Sequence, residues 1–214
     1  MNPSRRKGRA SAAGAAAGRF RIIAGQWRGR RLPFPALEGV RPTADRVRET
    51  LFNWLAPVIE GARCLDLFAG SGALGLEALS RGAAAVTFVD REPRLIRAIA
   101  AHLDTLGCET GSTLCAEAAT YLAARPEPFD IVFLDPPFDS GPLDALCQTI
   151  SDAGVLSPGG RVYLEQDAAN PPPKLPPGWE MLRSARAGNV RYHLASSRSG
   201  AGENKKADAE QGAP

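Results

Sequence analysis

The 214-residue chain has no long apolar run, few cysteines and only two histidines. Each scarcity excludes something. The longest apolar stretches, such as Ile131 to Leu134, are the size of a strand and far short of a membrane span, so no membrane partner is expected. The first nineteen residues lack the Leu-rich core of a secretory signal, although a transit peptide would share their Arg-rich, acid-poor composition. Cys64, Cys108, Cys115 and Cys147 show no CxxC spacing. With only His102 and His193 beside them, no metal-ligand cluster is expected. Cys64, Cys115 and Cys108 fall in or beside expected strands as ordinary buried thiols, which suits a reducing cytoplasm. Internal repeats are absent.

Charge is present but unevenly spread. Residues 1–48 hold 12 Lys and Arg against 2 Asp and Glu, whereas residues 49–214 hold 14 against 21. A basic arm for a polyanion, attached to an acidic body, is the reading this asymmetry suggests. Residues 1–19 read as a disordered basic arm and 199–214 as a disordered tail, since both are poor in large apolar residues. Residues 20–60 read as an extension, and 61–198 as the main domain.

In the extension, Phe20–Ala24 and Arg30–Phe34 flank Gly25-Gln26-Trp27-Arg28-Gly29 as a hairpin. Arg41-Pro42-Thr43 then introduces a helix, with Thr43 as its cap and Asp45 in its first turn. Val47, Leu51, Trp54, Leu55 and Val58 recur at helical spacing and should pack inward. Arg41, Arg46 and Arg48 fall off that stripe and are expected to face a ligand. Arg21, Arg28, Arg30 and Arg31 interleave with Trp27, which either stacks on a base or packs the hairpin onto the body.

From residue 63 strands and helices alternate, which implies an α/β fold. A mostly parallel sheet carries helices on both faces, and ligands bind beyond the carboxyl ends of its strands. Strands are expected at 63–68, 85–89, 110–115, 129–134 and 161–165. Helices are expected at 72–80, from Pro93 to a stop at Gly107, and near 117–124 and 142–152. Pro171–Pro177 is a connection, and 179–186 with 190–196 form an antiparallel hairpin around Gly188-Asn189.

Asp66-Leu67-Phe68-Ala69-Gly70-Ser71-Gly72-Ala73-Leu74-Gly75 joins the first of these strands to the first helix. Glycines let a ligand approach the backbone. Asp90 lies twenty residues beyond Gly70, where a carboxylate can bind ribose hydroxyls. The loop alone leaves a dinucleotide and S-adenosylmethionine both open. Asp66 favours the second, because a carboxylate there attracts an ammonium group and repels a pyrophosphate. Phe68, Ala69, Gly70, Ser71, Gly72 and Gly75 are the candidate cofactor residues with these two acids. Ala116 and Glu117, after the third of the parallel strands, are candidates for the adenine, and Glu117 reads equally well as a helix cap.

Asp135-Pro136-Pro137-Phe138 follows the most apolar strand. An exocyclic amine on a base is a poor nucleophile, because its lone pair is delocalised into the ring. Asp135 can accept one of its protons and the Pro136 carbonyl the other. Pro136 and Pro137 keep both acceptors aimed, and Phe138 offers a face for an extruded base.

The glycine loop together with DPPF resembles the amino-methyltransferase branch of the class I, Rossmann-like methyltransferases, whose sheet has seven strands. The longer stretch Ile22-Ile23-Ala24-Gly25-Gln26-Trp27-Arg28-Gly29-Arg30, with Arg41-Pro42-Thr43 and Asp45-Arg46-Val47-Arg48-Glu49-Thr50-Leu51-Phe52-Asn53, is similar to the bacterial small-subunit rRNA guanine-N2 methyltransferases, the RsmD family. The resemblance covers about residues 20–195. It implies S-adenosylmethionine held by Asp66, Gly70, Gly72, Asp90 and Glu117, and a guanine held by Asp135 to Phe138. It also implies Arg41, Thr43, Arg46 and Arg48 at the mouth of the site; Arg28 and Arg30, from the pattern of the hairpin itself, are expected on the RNA. The expected partner is 16S rRNA or a small-subunit assembly intermediate, met by a cytoplasmic monomer. Another amino target such as adenine N6, an NAD(P)-dependent oxidoreductase and a non-catalytic RNA-binding module are the competing readings.

Overall fold

The computed structural model describes residues 18–35, 37, 43–137 and 141–198. An antiparallel ribbon opens it, β1 (Gly18–Arg21) on β2 (Arg31–Phe34). Alternation along both strands sends Phe20, Leu32 and Phe34 inward and leaves Arg19, Arg21 and Arg31 exposed. Helix α1 (Asp45–Leu55) follows. Leu51, Phe52 and Leu55 are fully buried, and the Phe52 ring centroid lies 6.0 Å from that of Phe133. Trp54 stacks on Tyr192 at 5.4 Å. The helix ends at Leu55, so Val58, expected on the same apolar stripe, is exposed.

A seven-stranded sheet forms the body. Its strands are β3 (Arg63–Asp66), β4 (Ala85–Asp90), β5 (Gly111–Cys115), β6 (Phe129–Leu134), β7 (Leu156–Asp167), β8 (Trp179–Ala187) and β9 (Val190–Ser197). They run in the order β5-β4-β3-β6-β7-β9-β8, parallel through β7, with β9 antiparallel to β7 and β8. Helices α2 (Ala73–Ser80), α3 (Pro93–Leu106), α4 (Ala118–Ala123) and α5 (Leu143–Asp152) connect the parallel strands. The strand order reverses between β3 and β6, and at such a point the carboxyl ends open a crevice. α3 stops at Gly107, whose φ of 64° suits a residue without Cβ.

The extension shares the body's core. Phe20, Ile22, Leu32, Phe34, Val47 and Phe52 belong to one buried cluster with Ile131, Phe133 and Tyr163. Two acceptor groups of α2 hold the turn between β1 and β2. Glu77, with no exposure, accepts the backbone N–H groups of Ile23 (2.7 Å) and Ala24 (3.0 Å). The Ser80 carbonyl accepts the Gln26 N–H at 2.8 Å. Gly25, at φ +80°, must be glycine, because a Cβ would stand 1.7 Å from the Ser80 carbonyl oxygen. Trp27 is half-buried against this cluster and its backbone N–H reaches Ser80 Oγ, so it packs the turn onto the body.

Cys64 and Cys147 are buried thiols, but Cys115 is exposed, contrary to expectation, because β5 is the edge strand and little covers it. No described helix is long and apolar enough to cross a membrane.

Candidate active site

Asp66 ends β3, Asp90 ends β4, Asp135 directly follows β6, and Glu165 lies near the end of β7. Parallel pairing therefore brings four carboxylates to one edge of the sheet. Leu134 pairs with Leu164, so Asp135 and Glu165 are the next residues on adjacent strands. They face the side covered by α1, because Phe133 and Tyr163, two residues earlier on each strand, lie in that core. Among the described residues none of the four acids forms an ion pair with Lys or Arg, and no group of three or more is arranged to hold a metal.

Buried anions without a cation are costly. Burial pushes the Asp66 carboxyl up to about 7; the Gly75 N–H, 3.0 Å away, pulls it down, and the negative charges of Asp135 and Asp90 push it further up. Asp135 is raised by burial and lowered in part by the Thr43 hydroxyl, which donates to its Oδ2 at 3.2 Å. Glu165 is raised by burial and then by the charge of Asp135; the Tyr163 hydroxyl donates to it at 2.5 Å. Such a cluster of carboxylates attracts a cation and disfavours a pyrophosphate.

The glycine loop forms the floor. Gly70 (φ 51°) and Gly72 (φ 77°) are both left-handed. A Cβ on Gly70 would have only the Phe68 carbonyl nearby, at 3.8 Å, so its open side admits a ligand. One on Gly72 would stand 2.9 Å from Ile99. Asp90 accepts the Gly70 N–H at 2.8 Å and the Glu92 N–H at 2.8 Å, which locks loop and strand end together. Ala69 and Ser71 are buried, Ala69 giving its N–H to the Val89 carbonyl, and Phe68 is half-buried.

Gly75 was expected against the cofactor, yet it sits inside α2, where a Cβ would come within 2.2 Å of the Phe88 ring. It packs helix on sheet and gives its N–H to Asp66. Glu117 is exposed at the start of α4 without a capping bond, and Ala116 is half-buried beside it, its N–H on the Asp90 carbonyl. Glu117 thus occupies the cap position of α4, its backbone carbonyl accepting the Tyr121 N–H, while its side chain makes no capping bond.

The corner after β6 places Asp135 half-buried, Pro136 buried and Pro137 exposed. Phe138 lies outside the described residues, as does Arg41. A cavity of about 220 Å³ lies between Phe68, Pro136 and the first turns of α5. A second, of about 370 Å³, is lined by Arg19, Phe20, Arg21, Arg31 and Thr43–Asp45.

Two further expectations on the extension need correction. Thr43 does not cap α1; Ala44 holds the cap position without a side-chain bond, and the Thr43 hydroxyl is engaged by Asp135 instead. Arg48 does not face a ligand. Its side chain is wholly buried, donating to the carbonyls of Thr43 (3.1 Å) and Arg21 (2.8 Å) and to Asp45 (2.6 Å), with Glu77 3.7 Å away. The buried countercharge of Glu77 is the reason, and sequence reasoning passed over that residue. A lone acid inside the apolar run Ala73–Ser80 was the available signal. Tyr163 and Glu165 were also missed, although they alternate with Val162 and Leu164 onto the face of Asp135. Arg28, Arg30 and Arg46 are exposed.

Fold and site together define a class I methyltransferase. The chain belongs to the family described as Conserved hypothetical protein 95, which it matches over residues 20–196. It is 48% identical over 177 residues to Ribosomal RNA small subunit methyltransferase D of Escherichia coli strain K12, covering 83% of this chain and 89% of that one. The enzyme of the same name from Haemophilus influenzae is 42% identical over 183 residues, 84% of this chain and 94% of the other. The solved structure of the Escherichia coli protein yhhF superposes with a TM-score of 0.80 at 44% identity, covering 85% of this chain and 99% of its own.

Proposed function

We propose that the protein transfers a methyl group from S-adenosylmethionine to the exocyclic N2 amine of one guanine in 16S rRNA, acting in the cytoplasm as a monomer on the rRNA or on a small subunit during assembly. One observation carries this reading. Asp135, on a proline-fixed corner, lies at the same sheet edge as the glycine loop and the unpaired acids Asp66 and Asp90. The names of the two relatives support a small-subunit rRNA substrate.

S-adenosylmethionine, when bound, supplies a methyl group on a sulfonium together with an ammonium group. The residues suit both charges. Asp66 receives the ammonium directly or through water, Asp90 the ribose hydroxyls, and Ala116 and Glu117 border the adenine. The open side of Gly70 and the loop Phe68–Gly72 give the cofactor room against the backbone.

Asp135 accepts one N–H of the guanine amine and the Pro136 carbonyl the other, which aims the nitrogen lone pair at the methyl carbon. Phe138 stacks the flipped base. Positive charge grows on nitrogen as the bond forms, and Asp135, an anion already in place, stabilises it. The methylated amine then sheds its proton to Asp135 or to water. Thr43 holds Asp135 from the extension side, while Arg28, Arg30, Arg41 and Arg46 meet the RNA. Arg48, buried, supports them from beneath.

The test is nucleoside mass spectrometry of 16S rRNA after incubating subunits from cells lacking the protein with purified enzyme and isotope-labelled S-adenosylmethionine. Labelled N2-methylguanosine is the expected product. Labelled N6-methyladenine in its place would refute the guanine assignment.

A further inference from the structure

We propose that the outward face of the β1–β2 ribbon, carrying Arg19, Arg21 and Arg31, is a binding site for the phosphodiester backbone of RNA next to the nucleotide being methylated. This rests on the rRNA reading above and adds which arginines take the backbone, and where.

Strand alternation builds the face. Phe20, Leu32 and Phe34 anchor the ribbon in the core, so the intervening arginines must point away from it. The antiparallel register puts Arg21 directly opposite Arg31, and Arg19 opposite Pro33. Like charges directly across an antiparallel pair repel each other. A self-contained fold gains nothing from that arrangement. A bound polyanion does.

The cavity these arginines line contains one carboxylate, Asp45. Its Oδ1 is held by the buried Arg48 at 2.6 Å, and its Oδ2 lies 3.3 Å from Arg21 Nη2. The Arg21–Asp45 pair is half-exposed, with side chains 53% and 50% accessible, and such screened pairs are weak. A phosphate can therefore displace Asp45 from Arg21 at little cost. Arg19 and Arg31 form no ion pair among the described residues. Guanidinium groups bind phosphate oxygens through paired N–H donors, which suits a charge-dense backbone.

Position supplies the rest. Thr43 lines the same cavity and gives its hydroxyl to Asp135. A single side chain thus separates the arginine groove from the acid that would hold the base. A nucleotide whose base reached Asp135 would have its own or its neighbour's phosphate over Arg21 and Arg31. Arg28 and Arg30, on the turn, do not line this cavity.

The test uses the full chain with the double substitution Arg21→Gln/Arg31→Gln. Affinity for protein-free 16S rRNA is measured by filter retention over a series of KCl concentrations. Roughly tenfold weaker binding is expected, with the slope of log affinity against log salt smaller by about 1 to 2, the two lost phosphate contacts. Arg21→Lys/Arg31→Lys should keep most of the slope, and S-adenosylmethionine affinity and the melting temperature should match wild type in both variants. Unchanged affinity and slope would overturn the proposal, as would weaker binding with the full slope. Loss of affinity for intact subunits only, with protein-free rRNA bound normally, would also overturn it, since the groove would then meet a ribosomal protein. Failure of the underlying reading looks different: the wild-type protein would place no methyl group on subunit RNA.

Discussion

Asp66 is buried at the end of β3, with the Gly75 N–H as its hydrogen-bond donor and no cation beside it among the described residues. Its carboxyl is raised to about 7. Between about pH 4, where an unfolded aspartate ionises, and pH 7, the folded protein keeps a proton that the unfolded chain has lost. Stability of the cofactor-free protein therefore falls as pH rises through that window and levels off above it. Thermal melts across the window should show the fall, and Asp66→Asn should reduce it. The same substitution should raise the melting temperature near pH 7 without cofactor and remove the stabilisation that S-adenosylmethionine confers on wild type. An equal cofactor-induced gain in both proteins would contradict the ligand role of Asp66. Asp135 is likewise raised by burial, so the single-turnover rate should climb with pH along a limb displaced upward from the ordinary carboxylate range. A limb near the unperturbed aspartate value would show that a different group controls the step.

At the scale of elements, the extension depends on Glu77. Its carboxylate caps two backbone N–H groups of the turn and pairs with Arg81 at 2.7 Å, while Arg48 lies 3.7 Å away. Glu77→Ala leaves buried Arg48 without its full countercharge and should cost about 3–5 kcal/mol in denaturant unfolding. Gly25→Ala should also be destabilising, because its Cβ would overlap the Ser80 carbonyl. A loss under about 0.5 kcal/mol for either variant would show that the turn docks by other means. These contacts also mark what the sequence could disclose. Alternating apolar segments made every parallel strand visible, and β6 matched at both ends, since strand and helix periodicities are local. Arg48 and Thr43 were misplaced because their partners, Glu77 and Asp135, are 29 and 92 residues away. The DPPF corner was readable from composition at one point in the chain. Asp66 and Asp90 were readable from the glycine loop and its spacing, but Glu165 was not, because strand order, and not spacing, brings it to the same edge.

On the scale of the whole molecule, positive charge and negative charge are segregated, and the proposed function gives each its own ligand. The N-terminal 48 residues carry 12 of the 26 Lys and Arg, and the ribbon among them presents arginines outward. Behind it lie the buried acids at the sheet edge. RNA affinity should therefore be steeply salt-dependent, whereas cofactor affinity, set inside the cleft, should vary little with salt. Calorimetry with S-adenosylmethionine and filter retention with rRNA, each at several KCl concentrations, would check the contrast. Equal salt slopes for the two ligands would contradict this division of labour.

The single-turnover rate of Asp135→Asn, at saturating cofactor and small subunits, bears most directly on how the amine is held. Asparagine keeps the size of the side chain and loses the charge. A fall on the order of 10²–10³-fold is expected, with cofactor affinity and a cooperative melting transition retained. A rate equal to wild type would mean that a carboxylate at this corner is not what presents the amine to the methyl group.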